Sequence, residues 1–566
     1  MSETTPRKET AAQRSERLKQ AKNPWEAFDE VRRFAEQGRT SVVPEWASTY
    51  FKWWGIYTQG DGAGALGGTG GEGVVTEFFM MRVGIPNGVL SAAQLRLLGE
   101  LAQKYAHNLA DITVRQCIQF HWLRIEDLPP LVGALQAAGL SPKGTCGDVV
   151  RNVTGCPLAG VAHDEWIDAS PLALEVSRAL TGNPEFYNLP RKFKISISGC
   201  PAWCAYPEIN DLGFTPARRD GTVGFSLRVG GGLAREPHLA VKLDAFVLPE
   251  QVTRVALAAA QIFRDQTELR QTRTQARMKY LFLKQGWTAE RLLDELHARL
   301  DFKLLPAGEE AVPADVFRDH TGIHTQSTPG LYSVGASVLR GRMSGEQLVA
   351  AAGLAERYGS ERIRLAVSQN MIFLDIPGGK TQAFASELGT LGFHVEATNF
   401  WRGAVSCTGT EFCKLAITET KAYTRWLVEE MDTRLPNFDQ QLRLHVTGCP
   451  NGCGQHWIAD IGLEGKKVKQ NGEMVDAYSF CLGGAVGQDS SIARPVNYRA
   501  AAGQVPEAME RLLRRYLGDR SANENLHHWF ARHSDEALRA ILADEAAGAS
   551  SANQPPRQTG QTLDGE

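Results

Sequence analysis

Four cysteines late in the chain have the spacing of a metal-ligating set. Cys407 and Cys413 form C-x5-C, Cys449 and Cys453 form C-x3-C, and 35 residues separate the pairs. Thiolates in two close pairs match the ligand sets of zinc and of iron–sulfur clusters, but zinc ribbons favour C-x2-C pairs. The turn Gly448-Cys449-Pro450-Asn451-Gly452-Cys453-Gly454 lets backbone wrap closely round a bulky inorganic core and offers N–H groups to its sulfides. Iron–sulfur ligation is therefore favoured over zinc, and over a set of plain buried thiols, a common state of free cysteine.

An earlier stretch repeats three of these positions as Cys156, Cys200 and Cys204, with Ala162 where a counterpart of Cys413 would stand. Incomplete ligation predicts a lapsed site whose thiols are ordinary core residues. Basic residues show the opposite asymmetry. Arg82, Arg115 and Lys192 align with Gly335, Ser368 and Gln441, while Arg151 and Lys194 align with Arg402 and Arg443. Any one of them alone would be a solvent-facing cation at a strand end. Five grouped round the motif blocks predict an anion pocket, because guanidinium forks bind oxyanions bidentately and ammonium groups both neutralise charge and deliver protons.

These residues are carried by a duplicated plan. Ser91–Phe120 matches Ser344–Phe373 without gaps at an offset of 253, with nine of thirty positions identical. Each copy predicts a Ser-capped amphipathic helix, apolar at Leu95, Leu98, Leu101 and Ala102 or at Leu348, Ala351, Leu354 and Ala355, followed by a strand. A second match at offset 249 lays Lys194–Phe214 on Arg443–Leu463, both running strand, G-C-P-x-x-C, I-x-D-x-G. Arg151 and Cys156 fall on Arg402 and Cys407 at offset 251. The chain is thus an α+β protein of two copies, about 73–303 and 322–545, joined through Pro306-Ala307-Gly308 and Pro313. Residues 1–22 and the tail from about 545 are expected to be mobile.

Composition narrows the partners. The 566 residues carry 61 Lys+Arg against 64 Asp+Glu, a formal charge of −3, which gives no global field for nucleic acid. No apolar run approaches the ~18 residues of a membrane span, and the N-terminus MSETTPRKETAAQRSERLK has no apolar signal segment. A cytoplasmic protein is expected, whose ten cysteines serve metal or redox chemistry rather than disulfides. Two motifs are decoys. Gly62-Ala63-Gly64-Ala65-Leu66-Gly67 spells G-x-G-x-x-G inside a stretch with eight glycines in fourteen residues, without the strand-to-helix setting of a dinucleotide site. Gly379-Lys380-Thr381 has Leu374 in place of the first glycine of a P-loop.

The segments C-T-G-T-E-F-C-K-L-A-I-T-E-T-K (Cys407–Lys421) and H-V-T-G-C-P-N-G-C-G-Q-H-W-I-A-D-I-G (His445–Gly462) closely resemble the sirohaem and [4Fe–4S] nitrite and sulfite reductases. The resemblance runs over about residues 50–545. It implies two ferredoxin-like half-domains (73–140 and 322–393) and two larger α+β sirohaem/cluster domains (141–303 and 394–545), related by pseudo-twofold symmetry. An N-terminal extension with the Gly-rich loop would occupy 1–72, and a disordered tail 546–566. By resemblance Cys407, Cys413, Cys449 and Cys453 hold the cluster, and Cys453 also bridges to the sirohaem iron. Arg82, Arg151, Lys192 and Lys194 match the family's substrate-binding cations, and Arg115 matches a residue that steadies the sirohaem carboxylates. Asn152 and Gln116 stand beside these and are expected to help bind the macrocycle, although Gln116 has a twin in Gln369.

The implied reaction is the six-electron reduction of a small oxyanion, with the cations orienting it and the lysines supplying protons. The blocks R-N-V-T-G-C-P-L-A-G, G-C-P-A-W-C-A-Y-P-E-I-N-D and G-C-G-Q-H-W-I-A-D look most like bacterial ferredoxin-type assimilatory nitrite reductases, which make ammonium. Lys194 departs from plant-type nitrite reductases, which have Asn there, and agrees with sulfite reductases, so sulfite reduction to sulfide is the alternative. A zinc-stabilised binding protein is a distant one. Two copies leave no room for flavin or nicotinamide domains, so reduced ferredoxin or a similar one-electron carrier is expected as donor. The expected state is a monomer without nucleic-acid or membrane partners.

Overall fold

A computed structural model describes residues 9–59, 77–310 and 318–544. The Gly-rich loop with its decoy motif, Pro313 and the tail from 545 lie outside the described residues.

The helices Ala92–Tyr105 and Gly345–Tyr358 begin on identical capping boxes, Ser91 with Gln94 and Ser344 with Gln347, each hydroxyl accepting from the N3 backbone N–H while the glutamine amide reaches back. Their apolar faces bury the two matched sets of Leu and Ala. They cross at Gly99 and Gly345, where a Cβ on either would come within 2.6 or 2.4 Å of the other's carbonyl oxygen. Only hydrogen at both positions permits this approach.

Behind each helix lies an antiparallel five-stranded sheet, and each sheet borrows its last strand from the other copy. The first runs Ile56–Thr58, Phe79–Val83, Ile118–Leu123, Leu109–Ile112 and then Arg342–Ser344. The second runs Gly322–Thr325, Leu331–Ala336, Met371–Pro377, Arg362–Leu365 and then Val89–Ser91. The exchange covers one edge of each sheet and merges the two half-domains into one hydrophobic core.

Each larger domain has its own core and its own mixed sheet. Thr154–Gly155, Ile195–Ile197 and Leu212–Arg219 are parallel, and Thr222–Val229 and Val241–Val247 continue antiparallel. Ala404–Ser406, Leu444–Thr447 and Ile461–Gln470 are likewise parallel, with Glu473–Leu482 and Arg494–Ala501 antiparallel beyond them. The cysteine motifs follow the carboxyl ends of the two neighbouring parallel strands in both copies. That is where open α/β sheets place their ligands. The connector is not wholly loop, since Glu309–Glu310 adds a short strand to the first large sheet at Ala217 and Arg218.

The expectation of a mobile 1–22 fails over Ala11–Ala21, which is a helix capped by Thr10. Its Lys19 is fully buried, salt-bridged to Glu16 and to Asp148 at 3.4 Å, and donates to the Leu189 carbonyl at 2.8 Å. A polar segment is ordered here by a buried lysine whose distant partners, Asp148 and Leu189, local sequence does not reveal. No helix among the described residues is long and apolar enough to cross a membrane.

Candidate active site

Strand alternation aims the first-half cations. In Phe79–Val83 the side chains of Met81 and Val83 enter the core and Arg82 points the other way. Lys192 and Lys194 flank the buried Phe193 on the segment leading into Ile195–Ile197, so both ammonium groups leave the same face. Arg151 precedes the Thr154–Gly155 strand, its N–H donating to the Phe193 carbonyl at 2.8 Å, which brings it alongside the lysine segment. Arg115 sits on the turn between Leu109–Ile112 and Ile118–Leu123.

Among the described residues none of Arg82, Arg115, Arg151, Lys192 and Lys194 has an ion-pair partner, whereas neighbouring Arg277 is paired to Asp211 at 2.8 Å and Arg273 to Asp148 at 2.5 Å. The five groups are held instead by neutral acceptors. Arg82 donates to Gln119 Oε1 at 2.9 Å, to Cys146 Sγ at 2.9 Å and to the Thr145 carbonyl at 3.3 Å. Arg151 donates to the carbonyls of Thr145 and Gly147 at 3.0 and 2.8 Å. Burial and the cations Arg277 and Arg151 push Lys192 down to about 7. Burial, Lys192 and Arg115 hold Lys194 well below the usual lysine range. Concentrated positive charge that no carboxylate ion-pairs among the described residues is a site built for an anion from outside the chain.

Two of the expected cofactor residues, Gln116 and Asn152, brace the frame through their amides. Gln116 is fully buried, and its amide donates to the carbonyls of Gly155 and Leu365 at 3.0 and 2.8 Å while accepting from Gly155 N–H. Its twin Gln369 does the same for Ile112 and Ser406. Both ends of the Gln116 amide are spent on backbone, stitching one copy to the other. Asn152 donates to the carbonyls of Ile85 and Arg115, both at 2.9 Å, and so braces the Arg115 turn. Arg115 commits its terminal nitrogens to Asn210 Oδ1 at 2.6 Å and to the carbonyls of Asn152 and Ile195 at 2.5 and 3.1 Å. Its buried Nε has no partner, and burial lowers its pKa to about 10.

The second copy closes the pocket. Cys407 follows the strand Ala404–Ser406, and Cys449 follows Leu444–Thr447, whose registers align Ser406 with Val446. Backbone N–H groups point at the sulfurs: Gly448 at Cys407 (3.3 Å), Leu415 and Ala416 at Cys413, and Asn451 at Cys449. The thiols of Cys407, Cys413 and Cys449 all lie within electrostatic reach of Cys453. Burial raises Cys413 and Cys449 to about 12, so these sulfurs are costly as bare thiolates, a cost that a bound metal would offset. This donor set suits an iron–sulfur cluster: four convergent thiols with N–H donors on three of them. Cys453 alone is exposed, and it stands within electrostatic reach of Arg82 and Lys192. The free side of the cysteine set thus faces the unpaired cations of the other copy.

Several pocket residues had no sequence signal. Tyr57 lies outside the sequence blocks that match between the copies. Burial and the neighbouring Cys146 thiol raise its pKa, and it lies within electrostatic reach of Arg151 and Arg82. Cys146, Thr145 and Gln119 join the pocket only through the folding of the Thr145–Gly147 turn against the half-domain sheet. Asp211 had a signal, as the Asp of I-x-D-x-G. It accepts from Lys194 N–H at 2.8 Å, as Asp460 accepts from Arg443 N–H at 2.7 Å.

Comparison with known proteins agrees with this arrangement. The family model "Nitrite and sulphite reductase 4Fe-4S domain" matches residues 146–304 and 397–549. The "Nitrite/Sulfite reductase ferredoxin-like half domain" matches 73–138 and 324–391. An assimilatory ferredoxin-dependent nitrite reductase of Haloferax mediterranei is 37% identical over 546 residues, covering 90% of each chain. A sulfite reductase [ferredoxin] of Mycolicibacterium paratuberculosis is 35% identical over 536 residues, covering 93% of this chain and 96% of the relative. The solved structure of Mycobacterium tuberculosis NirA superposes with a TM-score of 0.88 at 34% identity, over 94% of this chain and 98% of the other. Duplicated architecture, cysteine set and cation pocket together place this chain in the nitrite and sulphite reductase family.

Proposed function

We propose that this chain reduces nitrite to ammonium, taking single electrons from reduced ferredoxin, with a sirohaem and a [4Fe–4S] cluster as its cofactors. The observation that carries this is the exposed Cys453 within electrostatic reach of Arg82 and Lys192, two of five cations that have no ion-pair partner among the described residues. Cys407, Cys413, Cys449 and Cys453 would hold the cluster, and Cys453 would also serve the sirohaem. Bound there, the two cofactors would supply electrons one at a time to the substrate.

The chain's own residues do the rest. Arg82 and Arg151, fixed by carbonyls rather than carboxylates, keep their charge for the oxyanion and orient it. Lys192, at about 7, can give and regain a proton near neutrality, and Lys194 beside it extends the relay as oxygen leaves as water. Arg115 contributes charge and its one uncommitted Nε to the cofactor's carboxylates, held in place by Asn152 and Asn210. Ten free cysteines with no disulfide support a reducing, cytoplasmic setting. A monomer without nucleic-acid or membrane partners completes the proposal.

Sulfite is the second substrate, favoured by the presence of Lys194. Initial rates of the holoenzyme with reduced ferredoxin decide between them. A higher kcat/KM for nitrite than for sulfite is expected, and the reverse order would make the enzyme a sulfite reductase.

A further inference from the structure

Cys156, Cys200 and Cys204 are the first-half residues that match the ligand positions of the second half, and the sequence predicts them to be idle thiols. Their arrangement is closer than that. All three sulfurs lie within 4.8 Å of one another, and Cys200 Sγ stands 3.7 Å from Cys204 Sγ. Each residue is at most 5% exposed. Among the described residues no other set of three Cys, His, Asp or Glu brings its ligand atoms together so closely.

The spacing discriminates between the chemistries open to three thiols. A tetrahedral ion with metal–sulfur bonds of about 2.3 Å separates its sulfurs by about 3.8 Å, close to the 3.7 Å seen. A four-iron cubane puts each thiolate on a different iron and so spreads them further apart. The cysteines of the second half are spread in this way, since they do not form such a close group. A disulfide would use two sulfurs at about 2.05 Å and leave the third stranded in an apolar wall. That wall, made by Leu158, Ala159 and Ala202, excludes water from the three sulfurs.

A candidate fourth donor stands outside this close group, since no ring nitrogen of His320 is within 4.8 Å of all three sulfurs. His320 is 7% exposed, and its Nε2 is buried with no hydrogen-bond partner. An unsatisfied buried imidazole nitrogen is costly unless something takes its lone pair or its proton. The ring lies within electrostatic reach of Cys200. Arg318, which is paired to Asp164 at 2.7 Å, also reaches Cys200 and Cys204. It would offset the single negative charge left by three thiolates on a divalent ion.

We propose that the first half binds one thiophilic divalent cation, zinc in the reducing cell, on Cys156, Cys200 and Cys204, with the unpartnered His320 ring moving in as the fourth ligand when the ion binds. Binding exchanges thiol protons for the cation and changes no oxidation state. Closed four-ligand sites of this kind are structural. This one would clip two strand ends of the first large domain to the segment that leads into the second copy. The position that holds a redox cluster in one half would hold a redox-inert staple in the other.

The test uses holoenzyme produced with zinc in the medium and washed with a chelator. Elemental analysis should find one zinc per chain in addition to iron. X-ray absorption at the zinc edge should show three sulfurs at about 2.3 Å and one light atom. Cys200→Ser and Cys204→Ser should each lower retained zinc about tenfold or more, with iron and acid-labile sulfide unchanged. His320→Ala should lower it in the same direction, and unchanged retention would remove His320 as the ligand. The proposal is overturned by absence of zinc or by zinc with only light-atom neighbours. A Cys200–Cys204 disulfide in the intact protein, or loss of iron in the serine variants, would overturn it equally. Should the serine variants fail to fold, the absorption spectrum of the unaltered protein still decides. No outcome depends on which oxyanion is reduced.

Discussion

Arg82 and Arg151 donate to one and the same oxygen, the Thr145 carbonyl, at 3.3 and 3.0 Å. Two guanidinium groups are thereby held side by side by a neutral acceptor, and their mutual repulsion is relieved only when an anion enters. Arg82→Gln and Arg151→Gln should each lower kcat/KM for nitrite about ten- to a hundredfold, as expected for loss of a charged hydrogen bond of about 1.5–3 kcal/mol. Because the carbonyl is shared, the double variant should lose less than the product of the single losses. Steady-state kinetics on the four proteins measures this, and strict multiplicativity would mean that the two arginines act independently.

Lys192 should set the alkaline limb of activity. Its pKa is lowered to about 7, so it is charged below that value and neutral above it. Anion binding, and with it kcat/KM, should fall as pH rises past this point, with the limb moved upward by any anion already bound. Lys192→Arg keeps the charge at all these pH values and should flatten the limb while lowering kcat, since a guanidinium does not release its proton. A pH–rate profile from about pH 6 to 9 checks both expectations.

The matched glutamines should behave as frame rather than as site. Gln116→Leu and Gln369→Leu each strand buried backbone groups of both copies, at a cost of about 1–3 kcal/mol. Urea unfolding should show comparable destabilisation for the two variants, with unchanged haem content per folded chain. A specific loss of haem in Gln116→Leu alone would restore the residue to the cofactor site.

Cysteine roles separate by spectroscopy. Cys453→Ser should abolish the cluster signal and nitrite turnover together. Cys481→Ser alters a buried thiol on the strand Glu473–Leu482, away from the motif loops, and should leave both. Electron paramagnetic resonance of the reduced proteins with parallel iron analysis distinguishes them.

Asp148 joins the N-terminal helix to the site's scaffold. Arg273, Lys19 and Arg191 around this buried carboxylate hold its pKa well below the usual range. Its contribution to stability is complete above the ordinary carboxylate value of about 3.9 and is lost as pH falls towards the lowered one. Asp148→Asn removes one of the two charge partners of buried Lys19, together with the buried partner of Arg273, and should cost about 3–5 kcal/mol. Unfolding free energy measured against pH should therefore show a shallower acid slope in the variant than in the parent protein.

Residue identity and spacing alone determined the duplication, the cysteine set, the asymmetric cations and the helices that carry them. Capping boxes, apolar periodicity and motif intervals are local properties, and each survives translation along the chain by about 250 residues. Tertiary structure decided what depends on through-space neighbours. Gln116 looked like a pocket residue by its place beside Arg115, yet its amide faces Gly155 and Leu365. Lys19 looked like part of a polar tail, yet Asp148, far away in sequence, buries it. The exchange of Val89–Ser91 and Arg342–Ser344 between sheets, and the meeting of Cys453 with Arg82 and Lys192, are pairings between copies that no local pattern encodes. The thiols of Cys156, Cys200 and Cys204 were legible as residues, but the distance that makes them a ligand set was not, because it arises where two parallel strand ends come side by side.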